Sequence, residues 1–464
     1  MSNIKFKEYN QSQLQLLPQD LESKIAQDHL ARLINKAVDD MDLSFIKQTY
    51  SNDGQHAYNP RMLLKILIYG YALGIRGSRR LADRLKEDIV FMWLSGRNTP
   101  DFRTISDFRK DKLSDFKNIF KQVLKTCFSL NMARVGKVSL DGTKMLASAS
   151  KNKAVFRTNL KKQRELIHQK VEEIMKEVEL ADEEEEELYG NATPHRTGID
   201  FTDPKVLEKI TKTVKKIEQQ RKRLNKKKTI LITRGLEIKR KERTMRKDRN
   251  SFSSIDKDAT VMMMKEGYVA PGYNVQLATE HQVILDYEVS PNRTDQKLLK
   301  PMTKSIKETT GRIPETMITD AGYGSKSNYR YLKNQRIQSY IPYTMYEQER
   351  ILRNKGLYEY PKNPDKELEK YKFIQRLRLQ SEEGKLMMKR RRQDVEPVIG
   401  NIKRNMEFRR FNLRGKDKCR LEIGLVAVAH NLKKIKSWVK KLAEWDDGEQ
   451  KGVELGLILG YRTA

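Results

Sequence analysis

Residues Lys137-Val138-Ser139-Leu140-Asp141-Gly142-Thr143 divide the chain into two kinds of sequence. Val138 and Leu140 bracket a small polar residue, and Gly142 follows directly on Asp141, so 138–140 reads as a short buried strand with a carboxylate at its tip. Upstream, apolar residues recur at helical spacing. Downstream, after a long charged interruption, strand signals resume at Tyr268. Segments 273–279 (YNVQLAT) and 282–289 (QVILDYEV) flank Glu280-His281, the pattern of a hairpin. A strand at 315–319 (ETMIT) ends at Asp320-Ala321-Gly322-Tyr323-Gly324, and another is expected at 339–343, with helices at 295–309 and 325–334. With residues 155–255 set aside, these five strands and their helices make a compact mixed α/β unit, with acidic residues at the ends of its first and fourth strands.

The remainder divides around that unit. Residues 1–132 read as a helical N-terminal domain, with a helix over 22–38 after Pro18 and the cap candidate Asp20. A second helix follows Asn59-Pro60; Gly74 and Gly77 break it, and Ser78 is placed to cap a short Arg-rich helix at 79–85. Helix, Gly-containing turn and basic helix outline a helix-turn-helix, with Arg79 and Arg80 as candidate DNA contacts. A further helix is expected over 113–130. The α/β unit takes 133–154 and 256–445, with a last helix at 418–443; 155–255 is a charged helical insertion and 446–464 a tail without a readable role. The insertion holds an acidic block, 182–187, and disorder is expected around 181–197. Its stretch 211–250 carries 17 Lys/Arg against 4 Asp/Glu, the composition of a long helical arm.

Charge narrows the function. The 464 residues hold 93 Lys/Arg and 62 Asp/Glu, a formal net charge of +31 that self-repels unless a polyanion offsets it. Nucleic acid is the first candidate and an anionic membrane surface the second. The apolar stretches 62–75 and 421–432 are interrupted by Lys65 and His430 and fall short of the roughly 18–20 residues of a membrane span. The opening MSNIKFKEY has no apolar core, so no secretory signal is expected. Cys127 and Cys419 are too few for a disulfide framework, and the six histidines show no pair at zinc-site spacing. The expectation is a soluble, cytoplasmic, nucleoid-associated protein.

Three carboxylates are candidates for chemistry. Asp141 and Asp320 each end a strand beside a Gly-containing turn, a favoured place for a site in an α/β sheet, although either alone also suits a turn cap. Glu396 lies in a stretch, 389–420, with 12 Lys/Arg and 4 acids. On an ideal helix it shares a face with Arg392 at i−4 and Lys403 at i+7, and Arg410 extends the stripe. Asp394 is placed to cap that helix, with Pro397 in its first turn; an earlier start would make Pro397 a kink. Carboxylates gathered in a basic protein suit two Mg²⁺ ions about 3.5–4 Å apart clamping an in-line phosphodiester displacement.

The ordered set Asp141, Asp320, Glu396, with DFRTISDFR (101–109), SLDGT, PGYNVQ (271–276), TDAGYG and FRRFNLRG (408–415), resembles the DDE transposases of bacterial insertion sequences. It is particularly similar to the branch whose third motif reads Tyr-x2-Arg-x3-Glu-x6-Lys. Arg392, Glu396 and Lys403 match that spacing, while Lys389 stands at the Tyr position. The resemblance covers most of 10–440. It implies a ribonuclease-H-like core with a mixed five-stranded sheet and flanking helices. It also implies an enzyme that binds terminal inverted repeats, frees 3′-hydroxyl ends and joins them to target DNA. Asp141, Asp320 and Glu396 would hold Mg²⁺, with Mn²⁺ as substitute, and Arg392 and Lys403 would hold the DNA backbone. The partners implied are double-stranded DNA and a second copy of the chain as a homodimer. Two alternatives stay open: a DNA-binding repressor that keeps the fold without the chemistry, and a nuclease without strand transfer.

Overall fold

The computed structural model describes residues 20–50, 57–113, 115–190, 204–245 and 249–445. The N-terminal stretch MSNIKFKEY, residues 191–197 of the polar run and the tail 446–464 lie outside the described residues. The strands in chain order are β1 (Lys137–Leu146), β2 (Ala154–Phe156), β3 (Ser251–Ser253), β4 (Thr260–Met263), β5 (Val269–Glu280), β6 (Val283–Ser290), β7 (Thr316–Ile318) and β8 (Gln338–Tyr340). Two compact units result, one from 1–148 with 273–464 and one from 149–272.

The larger unit is built on strands in the order β6-β5-β1-β7-β8, with β5 and β6 antiparallel and β1, β7 and β8 mutually parallel. The mixed sheet expected from the sequence is therefore present, with six strands instead of five because β4 also pairs with β5. His281 and Gln282, with φ of 51° and 65°, make the β5–β6 connection, a two-residue left-handed turn that follows the twist of the flanking strands. β1 is ten residues long where three were expected, so Asp141 lies inside the strand and not at its tip. The strand continues because its far end, Leu146, pairs with the segment around Arg410.

Helix Lys416–Trp445 packs on both β6 and helix Pro60–Ala72, so the N-terminal helices and the sheet share one unit. Buried Glu422 on that last helix accepts from Tyr71 Oη at 3.0 Å and from the backbone N–H of Asn412 and Leu413. Asn59 caps helix Pro60–Ala72, its side chain accepting from Arg61 N, with Pro60 where a missing N–H costs nothing. The helix expected over 22–38 is shorter, Leu30–Asp39, after a single 3₁₀ turn. Ser78 opens helix Ser78–Glu87 without capping it, because its hydroxyl accepts from Arg109 instead.

The third-motif helix also departs from expectation. It runs Glu382–Gly400, so Asp394 is a buried mid-helix residue and Pro397 sits in the interior. Proline removes the N–H that would bond the Gln393 carbonyl, and Gln282 Nε2 donates to that carbonyl at 2.9 Å instead. The chain then widens into a π turn over Asn401–Asn405, which shifts Lys403 off the ideal helical face.

In the smaller unit, helices Arg157–Gly190 and Pro204–Thr244 run antiparallel, linked by the ion pairs Arg164–Glu242 and Arg221–Asp182. Residues 181–190, expected to be disordered, continue the first of these helices. The base of the pair is closed by antiparallel β2–β3 around Leu160, Ile238, Met245 and Phe252. β4 pairs antiparallel with residues 269–272 of β5.

Candidate active site

Parallel pairing of β1 with β7 sets the site. The register pairs Ser139 with Ile318, and Asp141 and Asp320 each lie two residues further along. Asp141 accepts from the N–H of Gly142 at 2.8 Å, and Asp320 accepts from the N–H of Gly322 at 3.0 Å and caps the 3₁₀ turn that follows β7. Glu396 arrives from helix Glu382–Gly400 with its side chain half exposed.

The residue joining them is Arg391. Its Nη1 donates to Asp141 Oδ2 at 3.0 Å and its Nη2 to Glu396 Oε1 at 3.1 Å. The sequence had assigned the Glu396 face to Arg392. In the structure Arg392 is exposed and, with Arg391, Arg350 and Lys385, lines a basic cleft of about 660 Å³. Lys403 Nζ donates at 3.2 Å to the carbonyl of Lys144, further along β1 than Asp141. Arg410 is exposed beside the end of β1. Arg79 stacks over Phe102 at 4.9 Å and Arg80 is exposed, both on helix Ser78–Glu87, and neither forms an ion pair with the three carboxylates.

A fourth acid was not singled out from the sequence. Asp295 Oδ1 accepts from Asn274 Nδ2 and Gln276 Nε2, each at 2.7 Å. Tyr323 Oη donates to Gln276 Oε1 in turn. The available signal was the alternation of two amides, Asn274 and Gln276, on one face of an otherwise apolar strand, since buried amides demand partners. Arg391 carried no signal that set it apart from Arg390 and Arg392.

The electrostatics are those of crowded carboxylates. Burial pushes the Asp141 carboxyl up to about 6, with Arg391 opposing and Asp320 adding to the rise. Burial also raises Asp320, reinforced by Asp295 and opposed by Arg391. The Tyr323 hydroxyl is held well above its usual range by burial and by Asp295, Asp141 and Asp320 together. Each of these groups gains from positive charge placed among them, and the Arg391 guanidinium supplies part of it.

The donors are hard carboxylate oxygens without His or Cys, the set that suits Mg²⁺ or Mn²⁺. Among the described residues no three His, Cys, Asp or Glu side chains converge tightly enough to enclose an ion as they stand. The fit therefore rests on donor chemistry and on a guanidinium occupying the cationic position between Asp141 and Glu396. Among the described residues, no helix is long and apolar enough to cross a membrane.

Two family models match the chain. One, described as Transposase domain (DUF772), covers residues 19–111; the other, described as Transposase DDE domain, covers 254–432. The second match contains Asp320, Glu396 and Lys403, and Asp141 lies between the two. No curated protein and no solved structure matches the chain.

Proposed function

We infer that this chain, a DDE transposase of insertion-sequence type, binds the terminal inverted repeats of its element, frees 3′-hydroxyl ends and joins them to target DNA. The fold is ribonuclease-H-like, a mixed sheet with flanking helices, and such a domain acts on DNA. The observation that carries the finer reading is the juxtaposition of Asp141, on β1, with Asp320, just past the end of the adjacent parallel strand β7, with Arg391 tying Asp141 to Glu396.

In this reading Asp141, Asp320 and Glu396 hold Mg²⁺, or Mn²⁺ in its place. A divalent cation there supplies Lewis-acid polarisation of the phosphodiester and favours the ionised nucleophile. The protein residues position the DNA: Arg392 with its neighbours in the basic cleft, Lys403 beside β1 and Arg410 beyond it grip backbone phosphates. Arg79 and Arg80 on the N-terminal helix engage the repeat, and the basic helix Pro204–Thr244 adds sequence-independent contacts. Pairing two DNA ends calls for a homodimer.

The test incubates the purified chain with DNA carrying the repeats that flank its gene, in Mg²⁺ or in EDTA, and maps nicks at nucleotide resolution. Metal-dependent 3′-hydroxyl ends at the repeat boundary are expected, followed by joined products when target DNA is supplied. Asp141→Asn, Asp320→Asn and Glu396→Gln should each abolish cleavage while leaving DNA binding largely intact. Near wild-type cutting by any one of them removes that residue from the site. Tight binding with no cut in either Mg²⁺ or Mn²⁺ overturns the enzymatic reading in favour of a repressor.

A further inference from the structure

We propose that Asp295 is a fourth carboxylate of this site, facing the bound divalent cation beside Asp141 and Asp320; the inference rests on the cation site proposed above. Its position is built and not incidental. Asn274 and Gln276, 1% and 0% exposed, both spend their amide N–H groups on the single oxygen Oδ1. Gln276 also donates to Asn274 Oδ1 at 3.0 Å, and its own carbonyl is engaged by buried Tyr323, so the amide pair has one orientation. Three buried side chains from β5 and the turn after β7 thus fix one carboxylate.

The glycines following the two strand aspartates show where that carboxylate lies. A Cβ at position 142 would collide with Asp295 Oδ1 and Gln276 Nε2, so only glycine lets β1 pass. A Cβ at position 322 would sit 3.5 Å from Asp295 Oδ2 and 3.1 Å from Asp320 Oδ1. The oxygen not held by the amides therefore flanks the same small space as the Asp320 carboxylate. A separate feature shows that these carboxylates accommodate positive charge: the Arg391 guanidinium bridges Asp141 and Glu396 and also acts on the Asp320 carboxyl, with its Nε buried and without a hydrogen-bond partner. Carboxyl groups crowded in this way are relieved by a cation placed among them.

The experiment titrates Mn²⁺ into the full-length chain and reads free Mn²⁺ by its electron paramagnetic resonance signal, a readout independent of cleavage. Asp295→Asn is the informative variant, because asparagine keeps the Oδ1 acceptor for Asn274 and Gln276 and removes only the charge. Its Mn²⁺ dissociation constant should rise on the order of 10-fold or more, approaching that of Asp320→Asn, with an unchanged far-ultraviolet circular dichroism spectrum. Asn274→Ala, which leaves the charge but loosens it, should weaken Mn²⁺ by a smaller factor and covers the case in which Asp295→Asn fails to fold. Wild-type Mn²⁺ affinity in these variants, with Asp320→Asn impaired, overturns the proposal alone. A wild-type chain that takes up no Mn²⁺ overturns the cation site and this proposal together.

Discussion

His430 is fully enclosed on helix Lys416–Trp445, with Asn401 donating to its Nδ1 side and its Nε2 2.9 Å from the Gln282 carbonyl. That pairing requires a neutral ring protonated at Nε2, and burial, aided by Lys434 and Lys433, lowers its pKa to about 4. The unfolded ring titrates near 6.5. Between those values the unfolded chain binds the proton and the folded chain does not, so stability is complete above about pH 6.5 and is lost as pH falls towards 4. The loss from this one residue should reach roughly 2–3 kcal/mol. Urea unfolding at pH 7.5 and 4.5 checks it: His430→Gln should lower stability at pH 7.5 yet flatten the drop between the two. An equal drop in both proteins removes His430 as its source. At the same scale, Asp141 and Asp320 stood out in the sequence because each is an acid close to a glycine at the end of an apolar run, although β1 in fact continues past Asp141. Asp295 was not, since its importance lies in Asn274 and Gln276, which reach it only through the pleat of a strand 19 and 21 residues earlier in the chain.

Among the elements, β1 begins on an anchor supplied by the end of β5. Glu280, 4% exposed, accepts the backbone N–H groups of Arg134, Val135, Gly136 and Lys137 at 2.7–3.0 Å. Val135 holds φ = 64°, an uncommon conformation for a β-branched residue, and the carboxylate bonds on either side of it keep it there. Glu280→Gln exchanges one acceptor oxygen for a donor and leaves two of those N–H groups facing an NH₂. A loss of about 3 kcal/mol follows, seen as a lower urea midpoint with an unchanged slope. A midpoint within error of wild type would show that the loop does not depend on the anchor. Because β1 carries Asp141, the same variant should slow cleavage more than its stability loss alone explains. The sheet and hairpin were readable from alternation and turn residues. The third-motif helix was misread because ideal 3.6-residue geometry assumes an uninterrupted ladder. Pro397 and the π turn at Asn401–Asn405 break that ladder and move Lys403 off the expected face, while the ion pair to Glu396 comes from Arg391, at i−5.

For the molecule as a whole, a net charge of +31 favours a polyanionic partner, and its distribution bears on where such a partner is met. Near the carboxylates the cations are engaged or line the basic cleft, and a point change there alters chemistry as well as binding. In the smaller unit, exposed Lys222, Arg223, Lys226 and Lys227 form a stripe at i, i+4 spacing on helix Pro204–Thr244, in a run, 219–236, that holds no Asp or Glu. If that stripe meets phosphates, each contact releases counterions and adds roughly 0.9 to the slope of log K against log salt. Replacing the four by glutamine should lower that slope by up to about 3–4, equally for repeat-bearing and random DNA. The nick positions should not move, because the carboxylates and the N-terminal helix are untouched. Fluorescence anisotropy over a KCl series measures this directly. A slope unchanged by the four substitutions would mean that the arm's charge serves something other than DNA. A loss confined to repeat-bearing DNA would make the arm a reader of the ends and not a general electrostatic grip.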